Sequence, residues 1–130
     1  MKEATTTTIR DVSKKFGISA DVLRYYERAG MIPAVSRTAG GTRDYQDEDL
    51  RWVELTLCMR SAGLPVEVIA EYVRLTQLGS GTIPDRLSLL EKQREVLLEQ
   101  QRQTSAALGR LDHKISVYQS ALKTGTLNWN

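Results

Sequence analysis

Apolar residues recur at helical spacing in four short stretches and one long one. In "TIRDVSKKFG", Ile9, Val12 and Phe16 fall on one face of a short helix. Thr8 stands three residues before Asp11, close to the capping-box pattern, and Gly17 is a natural stop. After Ile18, Ser19 can cap a second helix with Asp21 in its first turn, where the dipole favours an acid. That helix is expected to run to about Ala29, with Gly30 ending it and Val22, Leu23 and Tyr26 forming its inward stripe. Two short helices joined by a tight glycine-containing turn make a helix-turn-helix candidate.

Pro33 blocks further helix, and Gly40-Gly41 sits between "VSR" and "TRDY", which predicts a small hairpin too short to be a stable sheet alone. A third helix opens with Asp47, Glu48 and Asp49 and closes at Gly63. Leu50, Trp52, Val53, Leu55, Leu57, Cys58 and Met59 leave it little polar surface, so burial on several sides is expected. Pro65 suits the first turn of a fourth helix carrying Val68, Ile69, Tyr72, Val73 and Leu75. "QLGSGTIP" then breaks the pattern.

From Asp85 to about Leu122 a seven-residue repeat takes over. Its a positions are Leu87, Arg94, Gln101, Leu108, Ile115 and Leu122; its d positions are Leu90, Leu97, Thr104, Leu111 and Tyr118. This predicts a coiled-coil helix on the order of 55 Å long. The polar middle of the seam weakens it and can help fix register. So long a stripe needs a partner, most simply its copy in a homodimer. Nothing in the sequence gives Trp129, in the tail, a packing role.

Charge sharpens this picture. The whole chain of 130 residues carries a net +2, but Ile9 to Arg43 holds seven bases against three acids, while residues 44 to 130 are net negative. A polyanionic partner for the N-terminal third is implied. The single cysteine cannot form an internal disulfide. No apolar run is long enough to cross a bilayer, and the start of the chain does not resemble a signal peptide, so a cytoplasmic protein without a membrane partner is expected.

The block "LRYYERAGMI" falls on the second helix, the element that enters a major groove in a helix-turn-helix. Arg24 and Arg28 are one turn apart, and a guanidinium can take phosphate or guanine at two points. The hydroxyls of Tyr25 and Tyr26 can donate to phosphate. Arg37 and Arg43 flank the glycine pair, giving the hairpin a basic tip. The alternative is a solvated basic face with Tyr26 in the core and an ordinary surface turn after it.

The run "TIRDVSKKFGISADVLRYYERAGMIPAVSRTAGGTRDYQDEDL" resembles the N-terminal module of the MerR family of bacterial transcription regulators. The motifs are LRYYE-x-x-G-[ML]-I-P, then R-x-x-G-G-x-R-x-Y, then a helix ending R-x-x-G-[LF]. The resemblance implies a mainly α chain with a winged helix-turn-helix DNA-binding domain over residues 1–78. A linker at 79–84, an antiparallel coiled-coil dimerisation helix at 85–122 and a tail at 123–130 would follow. It further implies groove and phosphate contacts from Arg24 and Tyr25, a wing contact from Arg43, and a phosphate contact from Arg60 in a second wing between the third and fourth helices. Pro65 replaces the hydroxyl residue usual at that helix start. Members bind promoters with overlong spacers and, on effector binding, distort the DNA so that RNA polymerase can engage it.

The remaining question is what such a protein senses. One histidine, His113, and no cysteine near the end of the long helix make metal sensing unexpected, and no cofactor motif is present. An enzyme is not expected either, because there is no phosphate-binding glycine loop and no acid–base pair with a partner histidine. On spacing alone Cys58 is either a small buried apolar residue or a reactive thiol; Arg51 and Arg60 would activate it and Glu54 would oppose them. "WVELTLCMRSAGL" resembles the NmlR/AdhR-like aldehyde- and thiol-stress branch of the family, which implies sensing of formaldehyde, methylglyoxal, a quinone or an oxidant through Cys58. The alternatives are a regulator with another effector in which Cys58 is structural, or a coiled-coil adaptor that never touches DNA.

Overall fold

The computed structural model describes residues 6–128, and Trp129 lies outside the described residues. Among the described residues five helices follow in order: α1 (Ile9–Phe16), α2 (Ala20–Arg28), α3 (Asp47–Ser61), α4 (Val66–Gln77) and α5 (Ile83–Thr124), with a 3-10 turn at Ser80–Thr82. The chain falls into two compact units, Met1–Leu90 and Glu91–Asn130.

In the first unit, local chemistry sets the helix ends. The Thr8 amide donates to Asp11 Oδ2 at 3.0 Å and the Asp11 amide donates to Thr8 Oγ1 at 3.2 Å, a complete capping box. The Thr8 amide first, and then the Thr8 hydroxyl, hold the Asp11 carboxyl below its ordinary pKa. Gly17 stops α1 at φ 68°, a left-handed conformation that favours glycine. The Val22 amide donates to Ser19 Oγ at 3.2 Å to open α2, and Ser13 Oγ donates to the Ile18 carbonyl across the turn.

The core gathers Val12 of α1, Leu23 and Tyr26 of α2, the segment Met31, Ile32 and Val35, then Tyr45, Val53, Met59, Leu64, Ile69, Val73 and Leu75. Thr56 is fully buried, and its hydroxyl donates to the Met31 carbonyl at 2.8 Å, pinning the chain after α2 to α3.

The hairpin expected between α2 and α3 is reduced to a loop. Among the described residues no strand forms, and one antiparallel bridge joins Arg37 to Arg43. The Thr38 amide donates to the Thr42 carbonyl at 2.8 Å and the Asp44 amide to the Ser36 carbonyl at 2.7 Å. With the turn taking up the glycine pair, the legs are too short to extend a ladder. The third helix also departs from expectation. Only Asp49, Val53, Thr56 and Met59 of α3 are buried, while Leu55 and Cys58 are exposed. The rest of the unit covers one face of α3, so its apolar composition overstated its burial.

Helix α5 begins at Ile83, two residues inside the span expected as a linker, with Pro84 tolerated in its first turn. Arg86 helps fix this start by donating from Nη2 to the Gly79 carbonyl at 2.6 Å and from Nε to Thr82 Oγ1 at 3.0 Å. The helix runs 42 residues and none of them is buried. Gly125, at φ 76°, ends it with its amide donating to the Ala121 carbonyl at 2.7 Å. Among the described residues no helix is long and apolar enough to cross a membrane.

Candidate nucleic-acid interface

Helix α2 sorts its basic and aromatic residues by face. Leu23 and Tyr26 turn into the core, whereas Arg24, Tyr25 and Arg28 are exposed. Tyr26, expected both on the inward stripe and among the DNA contacts, is 7 % exposed and so takes the first role. Burial pushes its phenol pKa up, with the charge of Arg60 working the other way. Tyr25 is 42 % exposed and carries the Arg28 guanidinium 5.7 Å from its ring centroid, a cation–π contact that organises both side chains. Arg24 Nη1 donates to Asp21 Oδ1 at 2.8 Å, but both side chains are well exposed. Such a pair is weak, and a phosphate can take over the guanidinium.

The loop after α2 holds the other two expected bases differently. Arg37 is exposed and donates from Nη1 to the Gly41 carbonyl at 2.9 Å. Arg43 turns back onto the protein and donates from Nε to Glu27 Oε1 at 2.7 Å, in a pair that is largely shielded from solvent. The second oxygen of Glu27 accepts the Val35 amide at 2.9 Å. Burial pushes the Glu27 carboxyl up, but Arg43, the Val35 amide and the charge of Arg37 together outweigh it and hold the pKa below the ordinary glutamate value. Arg60, at the end of α3, is exposed and donates from Nη1 to the Leu64 carbonyl at 2.7 Å, closing the turn into α4.

Two sets of residues escaped the sequence analysis. Arg10, Lys14 and Lys15 are exposed on α1, the helix that packs against α2. The clustered charge of the N-terminal third was the signal for them, yet they were counted only in that total. Glu27 had no signal, because its partners lie eight and sixteen residues away.

Cys58 is exposed and therefore not the small core residue that one alternative required. It lies on the face of α3 opposite Val53, Thr56 and Met59, at helical spacing from Glu54, Leu55 and Arg51. Beside that face an open groove of about 280 Å³ runs between α3 and α4, lined by Glu48, Arg51, Trp52, Leu55, Tyr72 and Thr76. The rings of Trp52 and Tyr72 meet edge to face across it at 6.1 Å. Among the described residues no group of three or more His, Cys, Asp or Glu side chains could hold a metal ion.

Comparison with known proteins agrees with this geometry. The model of the MerR HTH family regulatory protein matches residues 7–76. The HTH-type transcriptional regulator AdhR of Bacillus subtilis is 46 % identical over 91 residues, a stretch covering 70 % of this chain and 65 % of AdhR. A crystal structure of a MerR family transcriptional regulator from Listeria monocytogenes superposes with a TM-score of 0.85 at 41 % identity, covering 94 % of this chain and 91 % of that one. HiNmlR, a MerR family regulator lacking the sensor domain and crystallised on promoter DNA, superposes with a TM-score of 0.82 at 34 % identity, covering 94 % of this chain and 97 % of its own.

Proposed function

The chain belongs to the MerR family of helix-turn-helix, DNA-binding transcription regulators, and from that premise we propose that it is a promoter-distorting regulator switched by electrophiles at Cys58. The observation that carries the DNA-binding part is the exposed Arg24, Tyr25 and Arg28 face of α2 beside a loop that presents Arg37. Arg24 and Arg28 read the groove or take phosphate; Tyr25 adds a phosphate contact, and Arg60 takes phosphate near the turn into α4. The loop serves as the wing. Residues 1–78 form the DNA-binding part, the stretch from residue 79 to the start of α5 links it to the long helix, and two copies of that helix pair antiparallel through residues 85–122, leaving 123–130 as a tail. RNA polymerase is the partner at the promoter, since realigning promoter elements by bending DNA acts only through it.

The similarity to AdhR and HiNmlR supports a regulator of the AdhR/NmlR-like branch, which the motif around Cys58 links to aldehyde and thiol stress. An exposed thiol is accessible to a small electrophile. With formaldehyde, the Cys58 thiolate attacks the carbonyl carbon, a C–S bond forms, and the carbonyl oxygen takes up a proton to give an S-hydroxymethyl adduct. In the single chain the Cys58 face of α3 is uncovered, so the adduct acts on contacts made in the assembled dimer and not by overpacking a core.

In vitro transcription from a promoter bound by the protein tests this, comparing wild type and Cys58→Ala with and without formaldehyde or methylglyoxal. Induction should appear with wild type alone. Equal induction by both proteins would remove Cys58 from the mechanism and keep the regulator. Loss of DNA binding on raising salt is expected for both, because phosphate contacts release counterions.

A further inference from the structure

We propose that Glu27 is a positioning residue for DNA binding: its one carboxylate ties both legs of the loop between α2 and α3 to the last turn of α2, and so sets the wing beside the groove-reading helix. The proposal rests on the DNA-binding reading above. Oε2 takes the Val35 amide at 2.9 Å on the incoming leg, and Oε1 takes Arg43 Nε at 2.7 Å on the outgoing leg. The Glu27 and Arg43 side chains are 14 % and 23 % exposed, whereas those of Asp21 and Arg24 are 93 % and 45 % exposed. A charge-assisted bond in so shielded a position holds geometry better than a surface pair does.

The loop needs such a clamp. A single bridge, Arg37 to Arg43, leaves it without a ladder to fix its direction. Besides Glu27, the Thr7 amide donating to Asp44 Oδ1 at 3.0 Å ties the outgoing leg. Glu27 also stands within a block otherwise suited to a polyanion, where an unpaired carboxylate would repel phosphate. Pairing with Arg43 neutralises it there. Arg43 thereby becomes a clamp residue, and Arg37 is the base that the loop presents.

Opposing expectations make this testable. If Glu27 were only a surface negative charge, Glu27→Gln would strengthen binding to every DNA. If it clamps the wing, Glu27→Gln weakens binding to a preferred duplex at least about tenfold while leaving binding to a scrambled duplex unchanged or tighter. The probe is a duplex enriched from a random library by the wild-type protein, titrated against wild type, Glu27→Gln, Arg43→Gln and the double variant. A clamp predicts non-additivity, with the double variant no weaker than either single one. Additive losses, or an unchanged ratio of preferred to scrambled binding in Glu27→Gln, would overturn the proposal. Failure of the wild type to enrich any duplex would instead overturn the DNA-binding reading. Amide hydrogen exchange gives a readout free of DNA: Val35 should exchange markedly faster in Glu27→Gln while core amides such as that of Leu23 keep their protection. Equal protection of Val35 in the two proteins would also refute the clamp.

Discussion

The hydroxyl of Tyr45 is buried and has no hydrogen-bond partner among the described residues, although its residue is only 2 % exposed. A buried hydroxyl with no protein partner costs on the order of 1–3 kcal/mol. Tyr45→Phe keeps the ring and removes the orphan, so it should raise unfolding stability by about 1 kcal/mol in urea titrations. A lower stability would mean that the hydroxyl holds a bond through water. Two nearby acids pull against each other with pH. Burial raises the Asp49 carboxyl above its ordinary pKa, only partly relieved by the Gln46 amide it accepts at 2.9 Å, while Glu27 is held below its own. The charged and titratable groups that bear on Glu27 are Arg43 and Arg37, and Tyr45 and Asp49 feel its charge in turn. A lowered folded pKa gives stability that is present above the unfolded value and lost as pH falls through the folded one. A raised folded pKa works in reverse. Glu27→Gln should therefore flatten the rise of stability with pH across the acid range in urea titrations, while Asp11, whose carboxyl is also held below its ordinary pKa, keeps part of that rise.

Elements were legible where their determinants are local. The Thr8 and Asp11 box, the Ser19 cap and the Gly17 stop lie within a turn of the helix ends they define, so spacing alone placed them. Thr8→Ala should cost about 1 kcal/mol in thermal or urea unfolding, because one α1 amide loses its acceptor. A change below a few tenths of that would show that the box adds nothing to tertiary packing. The division of Tyr25 from Tyr26 was half legible: the inward stripe named Tyr26, but both tyrosines were offered to DNA on composition. Helix α3 was over-read because an apolar count says nothing of how many neighbours arrive, and here one face stays open with Leu55 and Cys58 on it. The loop between α2 and α3 was read as a hairpin from its glycine pair. What holds it is a carboxylate on another element, sixteen residues from Arg43, and no local pattern announces such a partner.

At the scale of the molecule the long helix poses the largest unsolved burial. Leu87, Leu90, Leu108, Leu111, Ile115, Tyr118 and Leu122 are each more than 40 % exposed, and no residue of α5 is buried. An apolar seam left in water is a cost that a second copy removes, since a coiled coil packs a and d residues into the facing helix. Two-fold symmetry makes every seam substitution count twice. At roughly 1.5–3 kcal/mol for each apolar side chain buried, Ile115→Asp removes two such contributions and sets two charges at the interface. The dissociation constant should then rise by at least about a hundredfold, every 1.4 kcal/mol being tenfold. Sedimentation equilibrium at low micromolar concentration reads this directly. Because the first unit carries α1 to α4 complete, the dissociated variant should retain their folded core and still bind a half-site, with a salt dependence about half as steep as the wild type's. A variant that remained dimeric would put the interface elsewhere, with the open α3 face and its Trp52–Tyr72 groove as the next surface to substitute.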